Sequence, residues 1–168
     1  MKIIKFIRYL IETLIIILFF AIFKIIGIKV SSFISGKIFT FIGPLFRSKN
    51  IISKNLKKAF PNISDGEIKN HMHEMWNYYG KIFAEYPFLN NFRNKNLGKN
   101  IEIVGQENLK EIQNEKVIFI SGHFDNFELM AMSLENVGIK LSAIYRPLNN
   151  IFLNHIMEKI RERYICKN

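Results

Sequence analysis

The chain has one cysteine, Cys166, in 168 residues. A disulfide-stapled scaffold is therefore excluded, and a zinc or redox site built from thiolates nearly so. Motifs that announce common chemistries are also missing. There is no H-E-x-x-H, G-x-S-x-G, Walker A loop or G-x-G-x-x-G. His71 and His73 are two positions apart on a helical pattern and point away from each other, a poor metal pair. Proline is sparse, and the four that occur (Pro44, Pro61, Pro87, Pro147) each coincide with a break in pattern. Acidic residues are almost absent from the first 60 positions, where Glu12 stands alone against 11 Lys and Arg.

What is present is apolar and basic. Hydrophobic residues make up 49% and charged residues 23%, which excludes a disordered tail, and the length suits one domain or little more. The whole net charge of +10 lies within residues 1–60, since residues 61–168 carry 13 charges of each sign. A nucleic-acid-binding protein would carry such an excess on a folded polar face. Here it flanks the most apolar stretch of the chain, a pattern suited to an anionic membrane surface. Residues 14–23 (LIIILFFAIF) are uninterrupted hydrocarbon. Extended over 6–28 the segment is long enough for a membrane helix, with Arg8 and Lys24 placed to snorkel. Lys2, Lys5 and Arg8 resemble a signal-peptide n-region, but no A-x-A cleavage site follows. An interfacial helix and a buried core helix are the other readings of so short a run; with the adjoining charge, the expectation is an uncleaved anchor over residues 1–30, with its basic flanks on the cytoplasmic side.

Beyond it, Gly43-Pro44 ends a second helix, and Ile52, Leu56, Ala59 and Phe60 define one face of a third, closed by Pro61. Ser64 and Glu67 form a capping box for a helix with an Ile68–Met72–Met75–Tyr79–Phe83 stripe, stopped by Pro87. Residues 90–100 read as a polar loop. From Ile101 the rhythm becomes β-α-β-α. Strands are expected at 101–104, 117–120 and 141–145, with helices after 123 and after Pro147, and Gly138 at the C′ position of the first. The fold class expected is α/β: an N-terminal membrane-anchor helix and a helical segment, then a partial, mainly parallel sheet domain spanning the rest of residues 31–168.

His123 follows the apolar 117–120 run, and Glu128 stands five positions later. A carboxylate folded back onto the ring would fix its tautomer and raise its basicity, leaving the other nitrogen to take a proton from a hydroxyl. Arg146, at the end of the next strand, could bind a phosphate or remain an ordinary surface arginine.

In order along the chain, an N-terminal anchor, N-L-K-K-A-F-P at 55–61, Glu85, the 103–105 segment, H-F-D-N-F-E at 123–128, Y-R-P-L-N-N at 145–150 and Arg161 together resemble the lipid A late acyltransferases of the lauroyl/myristoyl type. Asp125 stands where that family has glycine, and Phe127 where it has tryptophan. The resemblance implies acyl transfer from an acyl carrier protein thioester to a hydroxyl of a lipid A precursor at the cytoplasmic face of a bacterial inner membrane. By the same resemblance His123 would be the general base, Glu128 its orienting acid, and Asn126, Arg146 and Arg161 substrate-binding groups. No metal or other cofactor is implied. The partners would be the carrier protein, meeting the basic stretch 47–58, the lipid A precursor and membrane lipids, with no nucleic acid. Family members continue well past the point matched by Asn168, so the chain reads as the N-terminal, truncated portion of such an enzyme. The alternatives are a glycerolipid acyltransferase, which normally has aspartate at the position of Glu128, and a non-catalytic membrane-bound remnant of a split or decaying gene.

Overall fold

A computed structural model describes residues 3–94, 101–112 and 115–166. Eight helices run along these residues: α1 (Ile3–Ile26), α2 (Ile28–Ile42), α3 (Lys49–Ala59), α4 (Asp65–Glu85), α5 (Leu89–Arg93), α6 (Asn108–Glu111), α7 (Glu128–Asn136) and α8 (Ile151–Tyr164). The chain divides into two compact units, residues 22–86 and residues 1–21 with 87–168.

In the 22–86 unit, α2 packs along α4 through small residues. Ser31, Ser35 and Gly36 are buried on α2, and Gly80 and Ala84 on α4. A Cβ placed on Gly80 would clash with the Ser35 carbonyl oxygen and lie 2.8 Å from the Gly36 Cα. The glycine is what lets the two backbones approach so closely. Phe83 packs against Phe23 and Phe39, with ring centroids 5.9 and 5.4 Å apart. The break at Gly43-Pro44 is a short 3₁₀ turn, Gly43–Leu45, and the Trp76 ring lies over Gly43. At the start of α4 the capping box forms as the sequence indicates. Glu67 N donates to Ser64 Oγ (3.2 Å), and Ser64 N donates to Glu67 Oε2 (2.9 Å). The Ser64 hydroxyl, donating to Glu67 Oε2 at 2.7 Å, and the Ser64 N–H lower the Glu67 carboxyl from its ordinary pKa, and the hydrogen bond and charge of Lys57 lower that of Asp65.

In the other unit, Leu89 and Phe92 of α5, Met132 of α7 and Met157 of α8 are buried. Arg93 ties these elements together by donating to Glu135 (2.6 Å) and to the Tyr164 carbonyl (3.0 Å). The N-terminal half of α1 joins them through polar contacts. Tyr9 and Thr13 are buried, and Asn150 Nδ2 donates to the Tyr9 carbonyl (2.9 Å) and to Glu12 (3.1 Å). Phe6 meets Phe152 edge to face at 5.1 Å.

The expected α/β architecture is not what forms. Among the described residues there is no strand and no sheet. Segments 101–104, 117–120 and 141–145 are irregular, and Ile118, Ile120 and Ile144 are 88%, 93% and 105% exposed. A strand is defined by a neighbouring strand that takes up its backbone N–H and C=O groups, and among the described residues none of these segments has one. The expected polar loop at 90–100 also needs amendment, because its first residues close α5; residues 95–100 lie outside the described residues.

Candidate functional site

The loop ahead of α7 has an unusual backbone. Asp125 has φ +41°, the sole non-glycine positive φ among the described residues. Aspartate tolerates this left-handed region better than most side chains, and it stands at the position where the resemblance has glycine. The turn so produced lets Phe127 N donate to the Asp125 carbonyl and Leu129 N to the Asn126 carbonyl, both at 3.0 Å. It delivers Glu128 as the first residue of α7. A carboxylate in the first turn of a helix is favoured by the helix dipole.

Glu128 is buried, at 6% exposure, and its partner comes from the last turn of α8. Arg161 donates twice to Glu128 Oε1, from Nε at 3.0 Å and from Nη2 at 2.7 Å. The guanidinium also lies over the Tyr145 ring, 5.5 Å from its centroid. The Tyr145 hydroxyl donates in turn to Glu158, and that bond raises the phenol above its ordinary pKa of 10.0.

His123 is exposed, and its imidazole packs on Phe127 with ring centroids 4.3 Å apart. The structure therefore joins Glu128 to Arg161, and His123 to the residue immediately before Glu128. Asn126 is half-buried in the turn, and Arg146 is exposed in the segment leading to α8. Of the five residues singled out from sequence, four lie in two contact pairs or in the turn between them: His123, Asn126, Glu128 and Arg161.

Two contributors were not foreseen from sequence. Tyr145 stacks under Arg161, and nothing in its spacing signals this. Asn150 is the N-cap of α8, where its Oδ1 accepts from Phe152 N and Leu153 N at 3.1 Å each. Its side-chain amide also donates to α1, so one residue both starts α8 and ties that start to the N-terminal half of α1. An asparagine directly ahead of an apolar helical pattern is the signal that could have found this cap.

The other unit offers a different feature. Leu56, Ala59, Phe60 and Pro61 of the N-L-K-K-A-F-P element, with Ile63 and Met75, line an open apolar groove of about 660 Å³.

A family model for bacterial lipid A biosynthesis acyltransferases matches residues 2–167. No curated protein and no solved structure matches the chain. The match covers nearly the whole sequence, and the chain belongs to the bacterial lipid A biosynthesis acyltransferase family.

Proposed function

From that membership we propose that this chain takes part in transfer of a fatty acyl group from an acyl carrier protein thioester to a hydroxyl of a lipid A precursor, as a lauroyl/myristoyl-type enzyme of the bacterial inner membrane. The family acts in lipid A biosynthesis by acyl transfer. The carrier-protein donor and the roles of individual side chains are this reading's own. In it, His123 removes the proton from the acceptor hydroxyl as that oxygen attacks the thioester carbonyl. The proton passes to the imidazole, the carbon–sulfur bond breaks, and the carrier leaves as a thiol once a proton returns to sulfur. Glu128 orients the imidazole, and Arg161 positions Glu128. Asn126 and the exposed Arg146 meet the acceptor, Arg146 through its phosphate. The donor is the carrier thioester itself, and this attack calls on no further cofactor.

The observation that carries the reading is the buried Glu128–Arg161 pair at the foot of the His123 turn. A carboxylate so enclosed is fixed in place, as an orienting acid must be. The N-terminal helix adds support for a membrane-held acceptor, since α1 is long and apolar enough to cross a bilayer.

The experiment is transfer of a labelled acyl chain from carrier protein to a lipid A precursor by membranes containing the chain. His123→Ala should lower the rate by about 10²–10⁴-fold, the usual worth of a general base. Glu128→Ala should lower it strongly, and Arg146→Ala less than His123→Ala. Undiminished transfer by His123→Ala, with the protein present at wild-type level, would overturn the assignment.

A further inference from the structure

The helix α2 turns most of its large side chains outward. Val30, Phe33, Ile34, Ile38 and Phe41 recur at i, i+3, i+4, i+8 and i+11, one face of a helix. That face is exposed, with Phe33 at 64% and Phe41 at 84%. The opposite face, which packs on α4, buries Ser31, Ser35 and Gly36, with Phe39 the large side chain turned toward Phe83. In a helix that met only water the arrangement would be reversed. Further large apolar side chains are exposed in the turn after α2, with Leu45 at 83% and Phe46 at 78%. Contiguous exposed apolar surface of this kind marks an interaction face.

We infer that the outer face of α2 and the Leu45–Phe46 turn, followed in the chain by Arg47 and the lysines of α3, is a second membrane contact, lying in the headgroup–acyl boundary of an anionic leaflet without crossing it. Length excludes crossing, because fifteen residues reach about 22 Å against a hydrocarbon core of about 30 Å. Charge selects the occupant. Residues 22–60 hold eight Lys and Arg and no acid. Lys37 lies on the apolar face itself, its Nζ 5.8 Å from the Phe33 ring centroid, the posture of a lysine whose stem covers apolar surface while its head reaches outward. Past the turn, Arg47, Lys49, Lys54 and Lys58 are exposed. An acidic carrier protein, which the basic stretch 47–58 alone would suit, needs none of the exposed Phe33, Phe41, Leu45 and Phe46. An anionic bilayer uses both halves of the surface.

With α1 read as the anchor, the measurement is depth rather than binding. The full chain is labelled with an environment-sensitive fluorophore at Phe41→Cys or Phe46→Cys in a Cys166→Ser background, with Lys69→Cys on exposed α4 surface as the aqueous reference. It is then placed in vesicles containing phosphatidylglycerol. Labels at 41 and 46 should be quenched by spin-labelled lipid and shielded from iodide, and the label at 69 the reverse. Each lysine near an anionic leaflet is worth about fivefold in partitioning. Lys49→Glu with Lys54→Glu and Lys58→Glu should therefore return the label at 46 to water, as should vesicles of phosphatidylcholine alone. Phe41→Trp in a Trp76→Phe background, read with brominated lipid, repeats the measurement without altering Cys166. Iodide access at 41 and 46 equal to that at 69 would overturn the inference. So would shielding that appears only with added acyl carrier protein, or that vanishes on dilution of the chain in the bilayer, the mark of a second copy.

Discussion

Glu128 and Arg161 are 33 positions apart, and neither has a neighbour in sequence that announces the other. Their pairing depends on α7 beginning at Glu128 and on α8 ending its last turn beside it. A carboxylate this enclosed would lose more on desolvation than packing returns, so the guanidinium is a condition of its burial. Arg161 is itself 24% exposed at the side chain, which places the pair below a fully buried one in energy. Arg161→Met should therefore destabilise by about 2–3 kcal/mol, under the 3–5 typical of a broken buried pair. Adding Glu128→Gln should recover part of that loss, because it removes the stranded charge. Denaturant unfolding of the two single variants and the double variant checks this. Strictly additive losses would show that the two side chains do not act as a pair. Asp125 makes a related point: its left-handed turn suits glycine best, and aspartate serves there at modest strain.

At the scale of elements, the long helices were legible in sequence because their determinants are local, while the short α5 and α6 were not. The Ser64–Glu67 box, the break at Gly43-Pro44, the close of α3 before Pro61 and the glycine after α7 each act within a few residues of where they stand. The strands were not legible, because an apolar run at 117–120 reports that a segment could be buried but not that a partner strand will reach it. The site divides in the same way. The ordered motifs drew attention to His123, Asn126, Glu128 and Arg161, yet which of them touch depends on how α7 and α8 meet. The α2–α4 contact was also unread, since a helix that buries serine and glycine while showing phenylalanine inverts the usual rule. It leads to a prediction at this scale. In an exposed helix Gly→Ala gains about 1 kcal/mol. Gly80→Ala should instead destabilise the 22–86 unit, because the new methyl meets the Ser35 carbonyl and approaches Phe39 Cβ to 2.8 Å, forcing the two backbones apart. Gly66→Ala, in the first turn of α4 with only Ser64 Oγ within 4 Å, is the matched control and should be neutral or stabilising. Thermal unfolding of the two variants in the same detergent separates the cases, and equal stability of both would rule out the close packing.

For the whole molecule, charge and hydrocarbon are segregated into the same part of the chain. All the net positive charge is in residues 1–60, the same residues that contain α1 and the outward face of α2. Charge and hydrocarbon attract a membrane by different means, and salt distinguishes them. At about 1 M salt the screening length falls to roughly 3 Å, which removes attraction between surface lysines and anionic headgroups. Burial of hydrocarbon is not weakened by that treatment. Helix α1 has 24 residues, about 36 Å of helix, and its exposed apolar side chains include Ile7, Ile11, Leu14, Ile15 and Leu18. Its charges are few and partly matched, with Arg8 Nε 3.3 Å from Glu12. If α1 is the anchor, the chain should remain with membranes through a 1 M salt wash and be released by detergent. The charge-reversed α3 variant should remain equally, because its lysines set depth and orientation rather than attachment. Leu14→Lys with Leu18→Lys, placed on the exposed face, should convert the chain to one that salt can release, since two charges near the helix centre cost about 2.5–3.5 kcal/mol each on insertion. Sedimentation of washed membranes followed by detection of the chain in pellet and supernatant measures this. Release of the unaltered chain by salt alone would mean that charge, not α1, holds it there.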